Sequence, residues 1–191
     1  MSHINLDNNL PGIRGLMAFR PETAEPMGVL ANILLRENKG LKQAERELIA
    51  THVSYLNDCF YCHHSHGEIA CIYLGGDRDL VDQVRKDFLH AAISEKLKSL
   101  LVIAGKVQQG GKFVTVDDIK NARENGATDL DIHDTVLIAA AFCMFNRYVD
   151  GLASHTPTDM TSYPLRAKQI AEKGYGNHIF STKQPAPEKN T

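Results

Sequence analysis

A chain of 191 residues with 43% apolar residues and a formal net charge of -2 has material for one sizeable core or two small ones, and no basic run to neutralise phosphates. A polyanion-binding role is therefore excluded on electrostatic grounds. No stretch approaches the roughly 20 apolar residues that span a bilayer, and Met1 to Arg20 lacks the charged-then-apolar order of a signal peptide, so the expectation is a cytoplasmic protein with no nucleic-acid or membrane partner.

From about Glu22 the sequence reads as helix after helix into the 170s, with apolar residues three and four apart and no convincing strand pair. Behind Pro21, the run Glu22 to Glu37 carries Met27, Leu30, Ile33 and Leu34 on one stripe and stops at Asn38-Lys39-Gly40. Lys42 to Leu56 presents Leu48, Ile49, Val53 and Leu56 and ends at Asn57-Asp58; the next run starts at Cys59 or Phe60 and ends at Gly75-Gly76. Asp77 opens a short helix to Phe88, and Ser94 caps Glu95 to Gln109, which Gly110-Gly111 terminates. Thr115 to Asp118 is a capping box for a helix that stops at Gly126, and Thr128 or Asp129 begins the longest run, to about Gly151. Val136 through Phe145 has no polar residue, which predicts burial all round that helix, in the core or against a second subunit. A single helical domain is expected over residues 1–180, with a mobile tail over 181–191, where apolar residues almost disappear.

The chemically loaded segment is Cys59-Phe60-Tyr61-Cys62-His63-His64-Ser65-His66. In a reducing compartment, four cysteines in a domain of this size do not form a disulfide framework, and a CxxC pair reads as redox or metal chemistry. On a helix starting at Asn57-Asp58, Cys59, Cys62 and His66 share one face. A thiolate at a helix N-terminus has its pKa lowered from about 8.5 towards neutrality, and Cys62, with an imidazole one turn away, is the better placed to lose its proton. Two antiparallel helices meeting near Leu56-Asn57 bring Glu47 level with His66, since both climb the same rise per residue. A carboxylate there would orient the ring and complete a Glu, His, Cys proton relay; Thr51 should lie near the level of Cys62. His63 and His64 point off this face. Cys71 and Cys143 read as small buried apolar residues, His52 and His90 as ordinary, and Arg147 with Asp150 as a structural ion pair.

Glu45-Arg46-Glu47-Leu48-Ile49-Ala50, then Asn57, then CxxC and His66, resembles the AhpD-like alkylhydroperoxidase branch of the carboxymuconolactone decarboxylase superfamily. The resemblance extends more loosely to Phe19-Arg20-Pro21-Glu22-Thr23, to Ile132-His133-Asp134, and to Asn146-Arg147 with Asp150-Gly151-Leu152, and it is to the peroxidase-related members. It implies an all-α fold whose central helical hairpin carries CxxCxxxH, a homo-trimer or homo-hexamer, and thiol-dependent reduction of hydroperoxides. Glu47, Cys59, Cys62 and His66 would be the catalytic residues. It implies no metal, flavin or haem, and an external dithiol or lipoyl-type reductant. The chain departs from the family at Tyr61, where AhpD has a relay histidine; a phenol titrates near 10 and cannot take that role at neutral pH. The rival readings are a disulfide reductase or redox sensor with a protein partner, and a zinc-stabilised module using Cys59, Cys62, His66 and a fourth ligand. A lactone decarboxylase would need no cysteine pair.

Overall fold

The computed structural model describes residues 2–176, so the tail expected over 181–191 lies outside the described residues. The helices run in the order α1 (Ile13–Phe19), α2 (Pro21–Arg36), α3 (Gln43–Leu56), α4 (Phe60–Tyr73), α5 (Arg78–Asp87), α6 (Glu95–Gln109), α7 (Val116–Glu124), α8 (Asp129–Gly151) and α9 (Ser162–Lys173), with a 3-10 turn at Gly111–Phe113. There is no strand among the described residues, and no helix among them is long and apolar enough to cross a membrane.

Local chemistry sets the helix starts. Pro21 occupies the first turn of α2, where a missing N–H costs nothing. The side chains of Asp77 and Ser94 accept from the backbone N–H of Leu80 (2.9 Å) and Leu97 (3.2 Å). Thr115 with Asp118 and Thr128 with Asp131 form reciprocal capping boxes at α7 and α8. α1 lies upstream of the helical run that periodicity indicates; its first turn is fixed by Gly12, held at φ 57°.

α3 and α4 form the central antiparallel hairpin, α6 and α8 pack on each other and on α3, and α9 lies along α4. Leu48, Ile49 and Val53 of α3, Ile69 of α4, Leu100, Leu101 and Ile103 of α6 and Ile138 and Phe142 of α8 are the heart of one core. Three sequence expectations need correction. In α2 the inward face is Ala24, Gly28, Ala31, Leu34 and Leu35, while Ile33 is 54% exposed. Leu56 is exposed because α3 has passed the core by its last turn. α8 is not buried all round: Ile138, Phe142, Phe145 and Val149 face inward, but Leu130, Leu137 and Met144, spaced by two turns, remain on the surface of the chain.

Two buried polar networks tie the hairpin to α8. Arg46 of α3 is fully buried; its Nε donates to Leu41 O (3.0 Å), Nη1 to Leu34 O (2.8 Å), and Nη2 to Lys39 O (2.6 Å) and to Asp134 Oδ2 of α8 (2.8 Å). At the hairpin turn, Asn57 Nδ2 donates to Asn146 Oδ1 (2.8 Å), Asn146 Nδ2 to Ser54 Oγ (3.1 Å), and Gln108 Nε2 to Asn57 Oδ1 (3.0 Å). Glu45-Arg46-Glu47 thus meets Ile132-His133-Asp134, and Asn146 meets the hairpin turn at Ser54 and Asn57.

His52 is buried edge-on to Phe88 (ring centroids 4.9 Å), and its Nδ1 has no hydrogen-bond partner among the described residues. Burial lowers its pKa from 6.5 to about 4. The unfolded chain therefore takes up this proton first, so the stability the neutral ring provides is complete above pH 6.5 and is lost as pH falls towards 4. By pH 5 the loss is about 2 kcal/mol. Urea unfolding at pH 7 and pH 5 should show a decline smaller by that amount in His52→Leu than in wild type; equal declines would contradict it.

Candidate active site

The turn between α3 and α4 positions the cysteine pair. Asp58 adopts a left-handed conformation (φ 55°), which aspartate tolerates better than most residues, and the Cys59 N–H returns to Ser54 O (3.0 Å) to close the end of α3. Cys59 is then the extended N-cap of α4 (φ -84°, ψ 94°), and Cys62 sits in its first turn. Both are free thiols and buried, Cys62 being 4% exposed.

The two sulfurs differ in environment. Cys59 lies within hydrogen-bonding reach of Cys62, and this contact, then burial, then the charge of Cys62 raise its pKa, while the Cys62 N–H acts weakly the other way. The direction of that shift favours the protonated Cys59 thiol despite its place at a helix N-terminus. Asp150 of α8 also faces Cys59; burial raises the carboxyl pKa, and the hydrogen bond from Cys59 opposes that rise. The expected Arg147–Asp150 pair is thus replaced: Asp150 addresses Cys59, and Arg147 Nη1 donates to Cys143 O (2.9 Å).

His66 stands level with Glu47, its Nδ1 2.8 Å from Glu47 Oε2. The expected hairpin pairing is present. Glu47 is fully buried, and its other oxygen accepts from the Tyr175 hydroxyl (2.8 Å), which also lies 3.2 Å from His66 Nδ1. The Tyr175 ring stacks on His66 (interplanar 17°), and Phe142 meets the imidazole edge-on at 4.5 Å. Burial, then the nearby Glu47 charge, push the Tyr175 hydroxyl well above its ordinary pKa, so it acts as a donor and not as an acid. Tyr175 escaped sequence reading because it follows α9 at Gly174 in a segment without periodicity. Thr51 packs against Gly67 on α4, and its hydroxyl turns back to Glu47 O (2.7 Å).

Cys62 and His66 open onto one mainly apolar cavity of about 140 Å³, walled by α1, α2, α4, α8 and α9, with Ile13, Met27, Phe145 and Ile170 among its lining residues. Tyr61 closes one side. A Cβ at Gly12 would fall 2.1 Å from the Tyr61 ring, so the chain before α1 seats on it only because residue 12 is glycine. Burial raises the Tyr61 hydroxyl pKa further, which removes it from proton transfer at neutral pH. His63 and His64 point elsewhere, as expected: His63 Nδ1 lies 3.1 Å from Arg85, and His64 lies tilted against the Phe60 ring, centroids 4.4 Å apart. Cys71 is buried in the core, and Cys143 Sγ accepts from Asn57 Nδ2 at 3.7 Å. No group of three or more His, Cys, Asp or Glu side chains suited to holding a metal occurs among the described residues.

No protein-family model and no curated protein matches the chain. Solved structures do. An uncharacterized peroxidase-related protein from Ralstonia eutropha JMP134 with an alkylhydroperoxidase AhpD core is 29% identical, with a TM-score of 0.73 over 83% of this chain and 82% of that one. An uncharacterized peroxidase-related protein from Silicibacter sp. TM1040 is 28% identical, with a TM-score of 0.71 over 81% and 78%. In sequence and in fold the chain is similar to these AhpD-like, peroxidase-related structures. A protein of unknown function from Agrobacterium tumefaciens, named as a candidate AhpD antioxidant defence protein, shares the AhpD-like fold at 19% identity, with a TM-score of 0.65 over 83% of this chain and all of that one. The AhpD-like fold inferred from the sequence, all-α with the cysteine pair on the central hairpin, is the fold observed.

Proposed function

We propose that this AhpD-like protein is a thiol-dependent hydroperoxide reductase, a reading supported by the peroxidase-related names of its structural relatives. The observation that carries it is the opening of Cys62 and His66 onto one apolar cavity while Cys59, buried and outside the cavity lining, lies within hydrogen-bonding reach of Cys62. The His66 bond to Glu47 orients the ring so that Nε2 exchanges protons on the cavity side. His66 takes the Cys62 proton, and the thiolate attacks the distal peroxide oxygen. The O–O bond breaks, the alkoxide recovers a proton from His66 and leaves as an alcohol, and Cys62 becomes a sulfenic acid. Cys59 then attacks that sulfur, with Asp150 placed to receive its proton and pass it on; the S–O bond breaks, the departing hydroxide takes up that proton and leaves as water, and the Cys59–Cys62 disulfide forms. An external dithiol restores both thiols by exchange and is itself oxidised to a disulfide.

Buried Glu47 and Tyr175 position His66 in this scheme. The homo-trimer or homo-hexamer implied by the resemblance belongs to the same proposal, and the exposed stripe Leu130, Leu137 and Met144 of α8 supports it.

Adding one equivalent of an organic hydroperoxide to the reduced protein should consume two thiols per chain and yield one peptide linking Cys59 to Cys62, with the alcohol as product. Unchanged thiol content with intact hydroperoxide would overturn the reading. A disulfide that forms only with an oxidised protein partner would favour the redox-sensor alternative.

A further inference from the structure

The cavity that receives Cys62 and His66 is mainly apolar, yet two guanidinium groups, Arg14 and Arg166, stand in its wall, and among the described residues no Asp or Glu lines it. Arg166 rises from α9 on the same face as Tyr163, Ala167 and Ile170, which also line the cavity. Its Nη1 donates to Gln169 Oε1 (3.0 Å). Its Nε and Nη2 are shielded from solvent and have no hydrogen-bond partner among the described residues. Those two atoms form one side of the guanidinium fork, the side that matches the two oxygens of a carboxylate. A cation desolvated without a counter-charge is costly, and burial together with neighbouring Arg14 lowers the Arg166 pKa, the direction expected of a cation lacking an anion.

We propose that Arg166 is a carboxylate-binding residue, and that the substrate of this site is a short aliphatic or aromatic molecule carrying a carboxylate at one end and the reducible group at the other. The carboxylate takes the Nε and Nη2 edge of Arg166, the apolar body fills the space between Met27, Phe145 and Ile170, and the far end reaches Cys62. The volume of about 140 Å³ sets the scale, being close to that of cavities that admit a benzene ring. The reducible group being a hydroperoxide rests on the function proposed above; the carboxylate site does not.

Binding and turnover are measured separately. In calorimetric titration of the reduced wild-type protein, hexanoate should bind at least about tenfold more tightly than hexanamide, the margin of a charge-assisted bidentate contact. Arg166→Gln should erase that preference without weakening hexanamide, and Arg166→Lys, which keeps the charge and loses the fork, should retain part of it. Equal affinity of the wild type for the two probes overturns the carboxylate site, without reliance on any variant's folding. In steady-state assays with a dithiol, a carboxylate-bearing hydroperoxide should show a KM at least about tenfold below that of its methyl ester, and Arg166→Gln should equalise the two KM values. Hexanoate preference with no hydroperoxide turnover would sink the peroxidase reading alone, whereas turnover with no preference in binding or KM would sink the carboxylate site alone.

Discussion

Cys62→Ser is expected to lose hydroperoxide turnover by at least about a thousandfold, because the serine hydroxyl is not ionised near neutrality and no other thiol opens onto the cavity. Cys59→Ser should behave differently. Cys62 still reaches the peroxide, so one equivalent is reduced, and the enzyme halts as a Cys62 sulfenic acid that dimedone traps. The asymmetry follows from the environments of the two sulfurs: Cys59 holds its proton against Cys62 and does not line the cavity, whereas Cys62 does. Steady-state assays with a dithiol reductant, combined with mass spectrometry of the trapped adduct, separate the two variants. Burst reduction by Cys62→Ser with none by Cys59→Ser would reverse the roles.

The second large effect concerns folding. Arg46→Met should destabilise the protein by about 3–5 kcal/mol, the range for breaking a buried ion pair from one side. It takes the buried cation from the Asp134 carboxylate, leaving it His133 Nδ1 at 3.0 Å, and removes the donors to Leu34 O, Lys39 O and Leu41 O. For a chain of this size that is on the order of 10 °C in Tm. The doubly substituted Arg46→Met, Asp134→Leu protein removes both charges and should recover part of the loss. A calorimetric scan in which Arg46→Met melts within about 2 °C of wild type would show that the network contributes little.

Glu47 and His66 were legible because they are local: both lie on one helical hairpin, and rise per residue alone places them level. The caps at Asp77, Ser94, Thr115 and Thr128 were legible for the same reason, each being satisfied within four residues. Tyr175 and Arg166 were not, since what brings them to the cavity is the packing of α9 along α4, which no short pattern encodes. Asp150 was misread for a related cause. Spacing along α8 suggested Arg147 as its partner, but the turn at Asp58 swings Cys59 against it from another element. The exposed stripe of α8 shows the limit of composition, since an unbroken apolar run does not tell how many sides a neighbour covers.

The Tyr175 hydroxyl has a bearing on how the protein comes into being. His66 and Tyr175 are 109 positions apart, so during synthesis the thiols and the imidazole leave the ribosome long before the phenol that completes their surroundings. Until then the Glu47 carboxylate lacks one of its two side-chain partners, and the α4 face that will wall the cavity is uncovered. The nascent hairpin therefore presents Cys62 and His66 without the walls of their cavity until α9 and Tyr175 have been made.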